Sequence, residues 1–436
     1  MQTAGALKGI TVIDLTQALA GPYCTQLLAD FGARVIKIER PGSGDQSRGW
    51  GPPFVEGESS YFMGVNRTKE SLTLDLSRPE ARDVLDRLVE RADVLIHNMP
   101  RQASQKKLGI DAVTVRARNP RIIWAAISGF GFTGPEAEKP GYDVIAQGMS
   151  GTMALTGEPG SGPTRFPTPM ADITTGMYAY MGIMTALYER ERSGLGQDLD
   201  VALLDSQVSW LSNVASAFLA TGTAPPKRGN VHPNIAPYQP FRAADGWFIL
   251  AAGTEAHWER VKEAISGMLG RLSKRTGGAA ESATSATRAT PATPATPATP
   301  ATPPNAAELQ DPRFRDNRSR VANRTDMERV LERCFAAASV SDWISAFESA
   351  GVPCGPILSP EEALTHPQLL AREMIVETSH ARAGRVRSLG NPVKLERTPP
   401  RVGTAAPVLG ADTDRILREL EYDQEQVEAL RTNGVI

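Results

Sequence analysis

Asp172 stands in Pro169-Met-Ala-Asp-Ile-Thr-Thr-Gly-Met-Tyr, after a loop rich in Gly, Pro and Thr and at the start of an apolar-periodic helix. By pattern alone it reads as a helix N-cap. The same position suits covalent chemistry. The dipole and free N–H groups of a first helical turn hold a carboxylate ionised, and nucleophilic acyl transfer requires an ionised carboxylate at the end of a loop. Other chemistries lack their residues. The chain has no Gly-x-x-x-x-Gly-Lys-Ser/Thr phosphate cradle and no His-Glu-x-x-His pair. Its five histidines, at 97, 232, 257, 366 and 380, are too dispersed to propose a metal site. No serine sits in Gly-x-Ser-x-Gly. Gly42-Ser-Gly-Asp-Gln-Ser resembles the opening of a dinucleotide fingerprint, but Ser47-Arg-Gly-Trp-Gly-Pro-Pro follows and leaves no place for the helix that motif needs. It reads as a loop with turn glycines.

The elements that must position this carboxylate begin with a short β-branched run at residues 10–15 and a helical pattern at 23–31 that ends at Gly32. Further strand-like runs lie at 34–39, 72–76, 94–97, 122–128 and 198–204, with a helical pattern at 79–92 between two of them. This alternation predicts a parallel sheet covered by helices. Residues 142–155, 173–192 and 205–220 read as helices. A second region starts after Pro225-Pro226, with a strand at 247–251 and helices at 257–272, 326–338 and 341–350; a last helix is expected at 412–421. Between them, residues 276–305 hold five consecutive Ala-Thr-Pro triplets and almost no large apolar side chain, so the segment reads as an exposed, extended insertion.

Composition narrows the partners. With 436 residues, 41% hydrophobic and 22% charged, the chain is neither mainly disordered nor fibrous and has enough length for two or three domains. A formal net charge of -2 supplies no global basic field for nucleic acid or an anionic membrane, so an anionic ligand must meet a local basic pocket. Cys24, Cys334 and Cys354 are odd in number and far apart, without the paired spacing of zinc or disulfide frameworks. A cytoplasmic location is expected, with the mitochondrial matrix as the alternative if a leader has been removed. No apolar run approaches the roughly 18 residues of a membrane span.

Several blocks carry a family resemblance. Val12-Ile-Asp-Leu-Thr-Gln-Ala-Leu-Ala-Gly-Pro-Tyr, Gly32-Ala-Arg-Val-Ile-Lys-Ile-Glu-Arg-Pro-Gly-Ser-Gly-Asp and Asn66-Arg-Thr-Lys-Glu-Ser-Leu resemble the opening of the class III coenzyme A transferases, the formyl-CoA and carnitine-CoA transferase family. The resemblance continues through Gly141-Tyr-Asp-Val-Ile-Ala-Gln, Met170-Ala-Asp-Ile-Thr-Thr-Gly, His232-Pro-Asn-Ile-Ala-Pro-Tyr-Gln and Gly351-Val-Pro-Cys-Gly-Pro-Ile. It spans nearly the whole chain apart from the Ala-Thr-Pro insertion and looks closest to transferases of the succinyl-CoA:glutarate type. It implies an α/β fold: a doubly wound, Rossmann-like large domain with an inserted smaller α+β domain, in an interlocked homodimer. Placed on this chain, the large domain would take residues 1–200 and 352–436, with a linker helix at 201–224, the small domain at 225–335 and a second linker at 336–351.

The resemblance also implies roles. Asp172 would be the nucleophile, passing through a mixed anhydride and an aspartyl-CoA thioester. Coenzyme A or its acyl ester would be the substrate, with no prosthetic group and no metal. The coenzyme would lie against Gln17, Ala18, Ala20, Arg40, Leu74, Asn98, Lys107 and Leu108, with Tyr142 and Asp143 beside it. The segment from Asn98 to Gly109 is one residue longer than the family pattern, so Lys106 competes with Lys107 for the phosphate role. His232, Asn234 and Gly253, the glycine kept from the family's lid, fall on the acceptor side. A second carboxylate on the acceptor needs a fixed cation, which Arg48 in Ser-Arg-Gly-Trp or Arg165 in Pro-Thr-Arg-Phe could supply. Two alternatives stand beside this. A racemase of the same family would have Gly-His-Asp where this chain has Gly141-Tyr142-Asp143, and a tyrosine, with its pKa near 10, does not serve a two-base proton exchange. A non-catalytic CoA-binding protein would have no use for the whole Asp172 block.

Overall fold

Six short strands, the central ones rich in β-branched and apolar residues, pair in parallel in the computed structural model, which describes residues 5–137, 139–279 and 305–436. They are β1 (Thr11–Leu15), β2 (Arg34–Glu39), β3 (Glu70–Thr73), β4 (Val94–His97), β5 (Ile123–Ser128) and β6 (Asp198–Ala202). Their order across the sheet is β3-β2-β1-β4-β5-β6, so the winding direction reverses between β1 and β4. Successive residues feed two different cores, as a strand's alternation requires. Val12, Val35, Val94 and Ile96 pack with α1 (Ala20–Asp30) on one face. Ile13, Ile36 and Leu95 pack on the other with α2 (Ala81–Arg91) and with Ile416, Leu417 and Leu430 from the C-terminal helices Thr413–Glu419 and Gln424–Thr432. Burial on both faces explains why the central strands read as nearly continuous apolar runs, whereas the edge strand β6 alternates between exposed and half-buried residues.

The remaining helices that build the site are α3 (Gln102–Leu108), α4 (Asp143–Met149) and α5 (Met170–Ser193). Two expected helices are interrupted. Residues 142–155 form α4 and a separate turn, Thr152–Leu155, with Gly151 at φ +86° between them. Residues 205–220 divide into Leu203–Val208, a 3-10 turn and Ser212–Thr221, and Ser212 takes φ +40°. Of the Ala-Thr-Pro insertion, residues 280–304 lie outside the described residues.

The chain divides into two compact units, Met1–Thr156 with Pro163–Pro225 and Leu364–Ile436, and Gly157–Gly162 with Pro226–Ala363. The second holds an antiparallel sheet, β7 (Tyr238–Arg242), β8 (Trp247–Ala251) and β9 (Cys354–Pro356), with β8 in the centre. Its core gathers aromatic rings from α6 (Glu255–Ala279), α7 (Arg324–Phe335) and α8 (Val340–Ser349). The Phe335 ring meets Phe248 and Trp343 edge-on, each with centroids 5.1 Å apart. The linker expected at 336–351 is therefore part of this core, and the return expected at 352 begins at 364, because β9 completes the small sheet.

Candidate active site

The crevice outside the strand ends where winding reverses is where open α/β sheets take ligands. Here Gln17, after β1, and Asn98, after β4, face each other across it. The Gln17 N–H donates to Asn98 Oδ1 at 3.1 Å, and Asn98 Nδ2 donates to the Gln17 carbonyl at 2.8 Å. Gln17 is exposed, Ala18 and Asn98 are half-buried, and Arg40 is exposed just past the end of β2. Ala20 opens α1 with its side chain in the core. Leu74 is 2% exposed and packs in the core, with its N–H donated to the Glu39 carbonyl. On α3, Lys106 and Lys107 are both exposed and Leu108 packs against the core. Of the two lysines Lys106 alone lines a 410 Å³ cavity, whose walls include Gln102, Gln105, Trp124 and Phe132.

Asp172 is brought toward the start of α1 through one glycine. A Cβ on Gly176 would stand 2.6 Å from the Ala20 carbonyl oxygen and 3.3 Å from the Cys24 nitrogen, so α1 and α5 touch backbone to backbone there. That close crossing brings the first turn of α5 beside the start of α1, four residues before the glycine. The expected N-cap role is corrected. Asp172 is the third residue of α5 and caps nothing. The cap comes from Asp143, whose Oδ1 accepts the Ala171 N–H at 2.8 Å and the Asp172 N–H at 3.4 Å. The expectation that the helix start keeps Asp172 ionised is overturned with it. Burial, and then the neighbouring Asp143 charge, push the Asp172 carboxyl up to about 7.

Asp143 is itself fixed. Its Oδ2 accepts Gln147 Nε2 at 2.7 Å, and Gln147 Oε1 accepts the Phe166 N–H at 2.9 Å, tying the loop of Arg165 to the same cluster. Close contact between Gly129 and Gly141, where a Cβ on Gly141 would stand 2.3 Å from Gly129 Cα, sets the entry to α4 against the end of β5. Tyr142 is 62% exposed, whereas Tyr61 is half-buried, and burial, then the charges of Asp172, Asp143 and Asp45, push its hydroxyl up to about 12.

The two arginines part company. Arg48 is corrected as a free cation: its Nε and Nη2 each meet a Glu39 carboxylate oxygen at 2.7 Å, Nη2 also donates to the Pro407 carbonyl, and the guanidinium covers the Phe62 ring at 3.6 Å. Arg165 is exposed. His232, Asn234 and Gly253 belong to the second unit. His232 Nδ1 accepts the Asn234 N–H, the ring leans on Tyr238, and the Asn234 carbonyl accepts Asn317 Nδ2. Gly253 has open space where a Cβ would stand and no positive φ, so nothing local demands a glycine there.

Sequence reasoning passed over the charges inside the sheet. Asp14 on β1 and Lys37 on β2 are register partners, and both are fully buried. Lys69 contacts Asp14 at 3.1 Å, and Lys37 contacts Asp45 at 2.9 Å. The signal was available: Asp14 stands between Ile13 and Leu15, and Lys37 between Ile36 and Ile38. No group of three His, Cys, Asp or Glu side chains able to hold a metal ion occurs among the described residues, and no described helix is long and apolar enough to cross a membrane.

With this geometry in hand, comparison with known proteins is informative. The model of CoA-transferase family III matches residues 7–288 and 301–413. Succinyl-CoA:glutarate CoA-transferase of Mus musculus is 35% identical over 433 residues, covering 99% of this chain and 90% of its own length. Succinate--glutarate CoA-transferase of Agrobacterium fabrum is 38% identical, covering 95% of this chain and 96% of its own. A crystal structure of a CAIB/BAIF family protein from Brucella suis superposes with a TM-score of 0.78 at 37% identity, over 96% of this chain and 100% of that one.

Proposed function

The chain belongs to CoA-transferase family III, and we propose that it moves coenzyme A from succinyl-CoA to a dicarboxylic acid, with Asp172 as the nucleophile. The observation that carries this is the Asp172 carboxylate, drawn beside the β1 crevice by Gly176 and raised to about 7 by burial and Asp143. Such a carboxylate is ionised above neutrality yet is more basic, and a stronger nucleophile, than an ordinary aspartate. Its oxygen attacks the thioester carbon, the C–S bond breaks, and a mixed anhydride and CoA thiolate result. The thiolate then attacks the Asp172 carbonyl carbon, which releases succinate and leaves aspartyl-CoA. The acceptor carboxylate repeats the first step on that thioester, and returning thiolate takes the new acyl group away. Every step exchanges an activated acyl bond for another, so no nucleotide triphosphate is needed.

Coenzyme A would lie along Gln17, Ala18, Ala20 and Asn98, with Arg40 and Lys106 or Lys107 as cations for its phosphates. Arg165, tied to the Asp143 cluster through Phe166 and Gln147, would receive the acceptor's second carboxylate. The same reading has two copies of the chain interlock. Exposed apolar side chains along α5 and beyond it, Met177, Met181, Tyr188, Trp210 and Leu219, support a partner on that face. The names of the mouse and Agrobacterium relatives support succinyl-CoA and glutarate as the first pair to try.

The test is transfer from succinyl-CoA to a panel of mono- and dicarboxylic acids followed by mass spectrometry, with hydroxylamine trapping of the acyl-CoA-treated protein. A hydroxamate at residue 172, absent from Asp172→Ala, is the expected result. Transfer that survives Asp172→Ala would overturn the assignment, and equal rates with glutarate and butyrate would overturn the dicarboxylate preference.

A further inference from the structure

The loop after β1 is held in an unusual way. Consecutive backbone groups from the Thr16 N–H to the Ala18 N–H are each met by a side chain. Asp14 Oδ1 accepts the Thr16 N–H at 2.9 Å, and Lys37 Nζ donates to the Thr16 carbonyl at 2.7 Å. Asn98 takes both backbone groups of Gln17. Asp45 Oδ1 accepts the Ala18 N–H at 3.1 Å, together with the Ser47 N–H and hydroxyl. Asp45 Oδ2, without another partner, contacts Lys37 Nζ at 2.9 Å. Asp45 itself is anchored through its N–H on Glu39 Oε2, the carboxylate that engages Arg48.

At the centre of this clamp Ala18 has φ +70°, a left-handed conformation that a residue with a Cβ avoids and that persists only where the surroundings over-determine it. Surface loops ordinarily satisfy their backbone with water. This one takes two buried acids and a buried lysine instead, and the strain falls on the residue beside exposed Gln17.

We propose that Asp45 is a positioning residue of the transferase: through the Ala18 N–H it holds the Gln17-Ala18 loop in its left-handed form, and so sets the affinity for acyl-CoA. The inference rests on the reading of this loop as the coenzyme site. Asp45 does not touch the reacting atoms, so its removal raises the KM for acyl-CoA and leaves kcat for bound substrate the less affected quantity.

The test is a mutant cycle at positions 45 and 18. Asp45→Ala is expected to raise the acyl-CoA KM about tenfold, the scale of one lost hydrogen bond to a charged group. Asp45→Asn keeps an oxygen for Ala18 but loses the charge opposite Lys37, so it should melt at a lower temperature while recovering most of the KM. Glycine adopts positive φ without steric cost, so Asp45→Ala should cost several-fold less in KM when made on Ala18→Gly. Ala18→Val, which opposes φ +70° and spares the Lys37–Asp45 pair, should raise the KM with a smaller drop in melting temperature than Asp45→Ala. An additive cycle, or equal KM changes in Asp45→Ala and Asp45→Asn, overturns the proposal. So does failure of every Asp45 variant to fold on both backgrounds, which would make the residue structural only. Gln17→Ala separates the two levels: if neither it nor Ala18→Val alters the acyl-CoA KM, the coenzyme reading of the loop is what fails.

Discussion

Replacing Asp172 by asparagine removes a charge that the fold holds at a cost. From an ordinary aspartate value of 3.8 to about 7, at about 1.4 kcal/mol per pH unit, ionised Asp172 destabilises the folded chain by up to about 4 kcal/mol at pH 8. The sign follows from linkage. A carboxyl raised on folding binds its proton more tightly in the native state, so the penalty is absent below the unfolded value near 4, grows as pH rises, and is complete above 7. Asp172→Asn is nearly isosteric and leaves the Asp143 cap on Ala171 in place. It should therefore abolish transfer and yet raise the melting temperature at pH 8, by about 5 °C or more for a chain of this size. Calorimetric scans of both proteins from pH 4 to 8 check it, and the gain should shrink steadily as pH falls through 7 and be gone near 4. A variant no more stable than wild type at pH 8, or a gain independent of pH, would refute the account of Asp172 as a buried carboxylate facing a like charge.

Three further outcomes are expected. Asp143→Asn keeps an oxygen for the helix cap but removes the repelling charge, so the acidic limb of the pH–rate profile should move to lower pH, because a like charge beside a carboxyl disfavours its ionised form; an unmoved limb would mean that burial alone raises Asp172. Gly176→Ala should cost activity and melting temperature together, because its methyl meets the Ala20 carbonyl oxygen at 2.6 Å, and an active, equally stable variant would show that the close crossing is not required. Arg165→Ala should lower the preference for glutarate over butyrate about tenfold, the scale of a bidentate carboxylate pair, whereas Arg48→Ala should reduce stability through unpaired Glu39; the opposite pattern in the two substrate ratios would restore Arg48 as the specificity residue.

The sheet was legible because burial on both faces of its central strands leaves short runs that are mostly apolar and β-branched. Runs at 34–39 and 94–97 correspond residue for residue to β2 and β4. What escaped was set by contacts distant in sequence. β7 carries Pro240, which argues locally against a strand, yet it pairs with β8 and completes an edge. The break at Ser212 has no glycine or proline to announce it. At the site, the motif around Asp172 was readable, but its protonation was not: the cap arrives from Asp143, 29 residues away, and brings with it the charge that opposes ionisation. Arg48 looked free because its partner Glu39 lies on the preceding strand, on the far side of a glycine loop.

These misreadings have one physical origin, and it bears on how the site works. The chain's charges nearly balance overall, and those along the β1 crevice serve two different ends. Asp14, Lys37, Asp45 and Lys69 are buried in mutual contact, so their charges cancel and what remains is directional: they fix backbone groups. Arg40, Lys106, Lys107 and Arg165 stay exposed, so they keep a charge for an anion. Asp172 belongs to neither set. It is half-buried rather than enclosed like the first set, it is paired with no cation among the described residues, and the neighbouring Asp143 charge opposes its ionisation. Pairing it with a buried lysine, as Asp14 is paired, would hold it well below neutrality and weaken it as a nucleophile. Placing it in water, like the second set, would give an ordinary aspartate and expose an anhydride to hydrolysis. Leaving it half-buried and unpaired beside Asp143 costs stability, and under the proposed function that cost is the measurable sign of a position kept for chemistry.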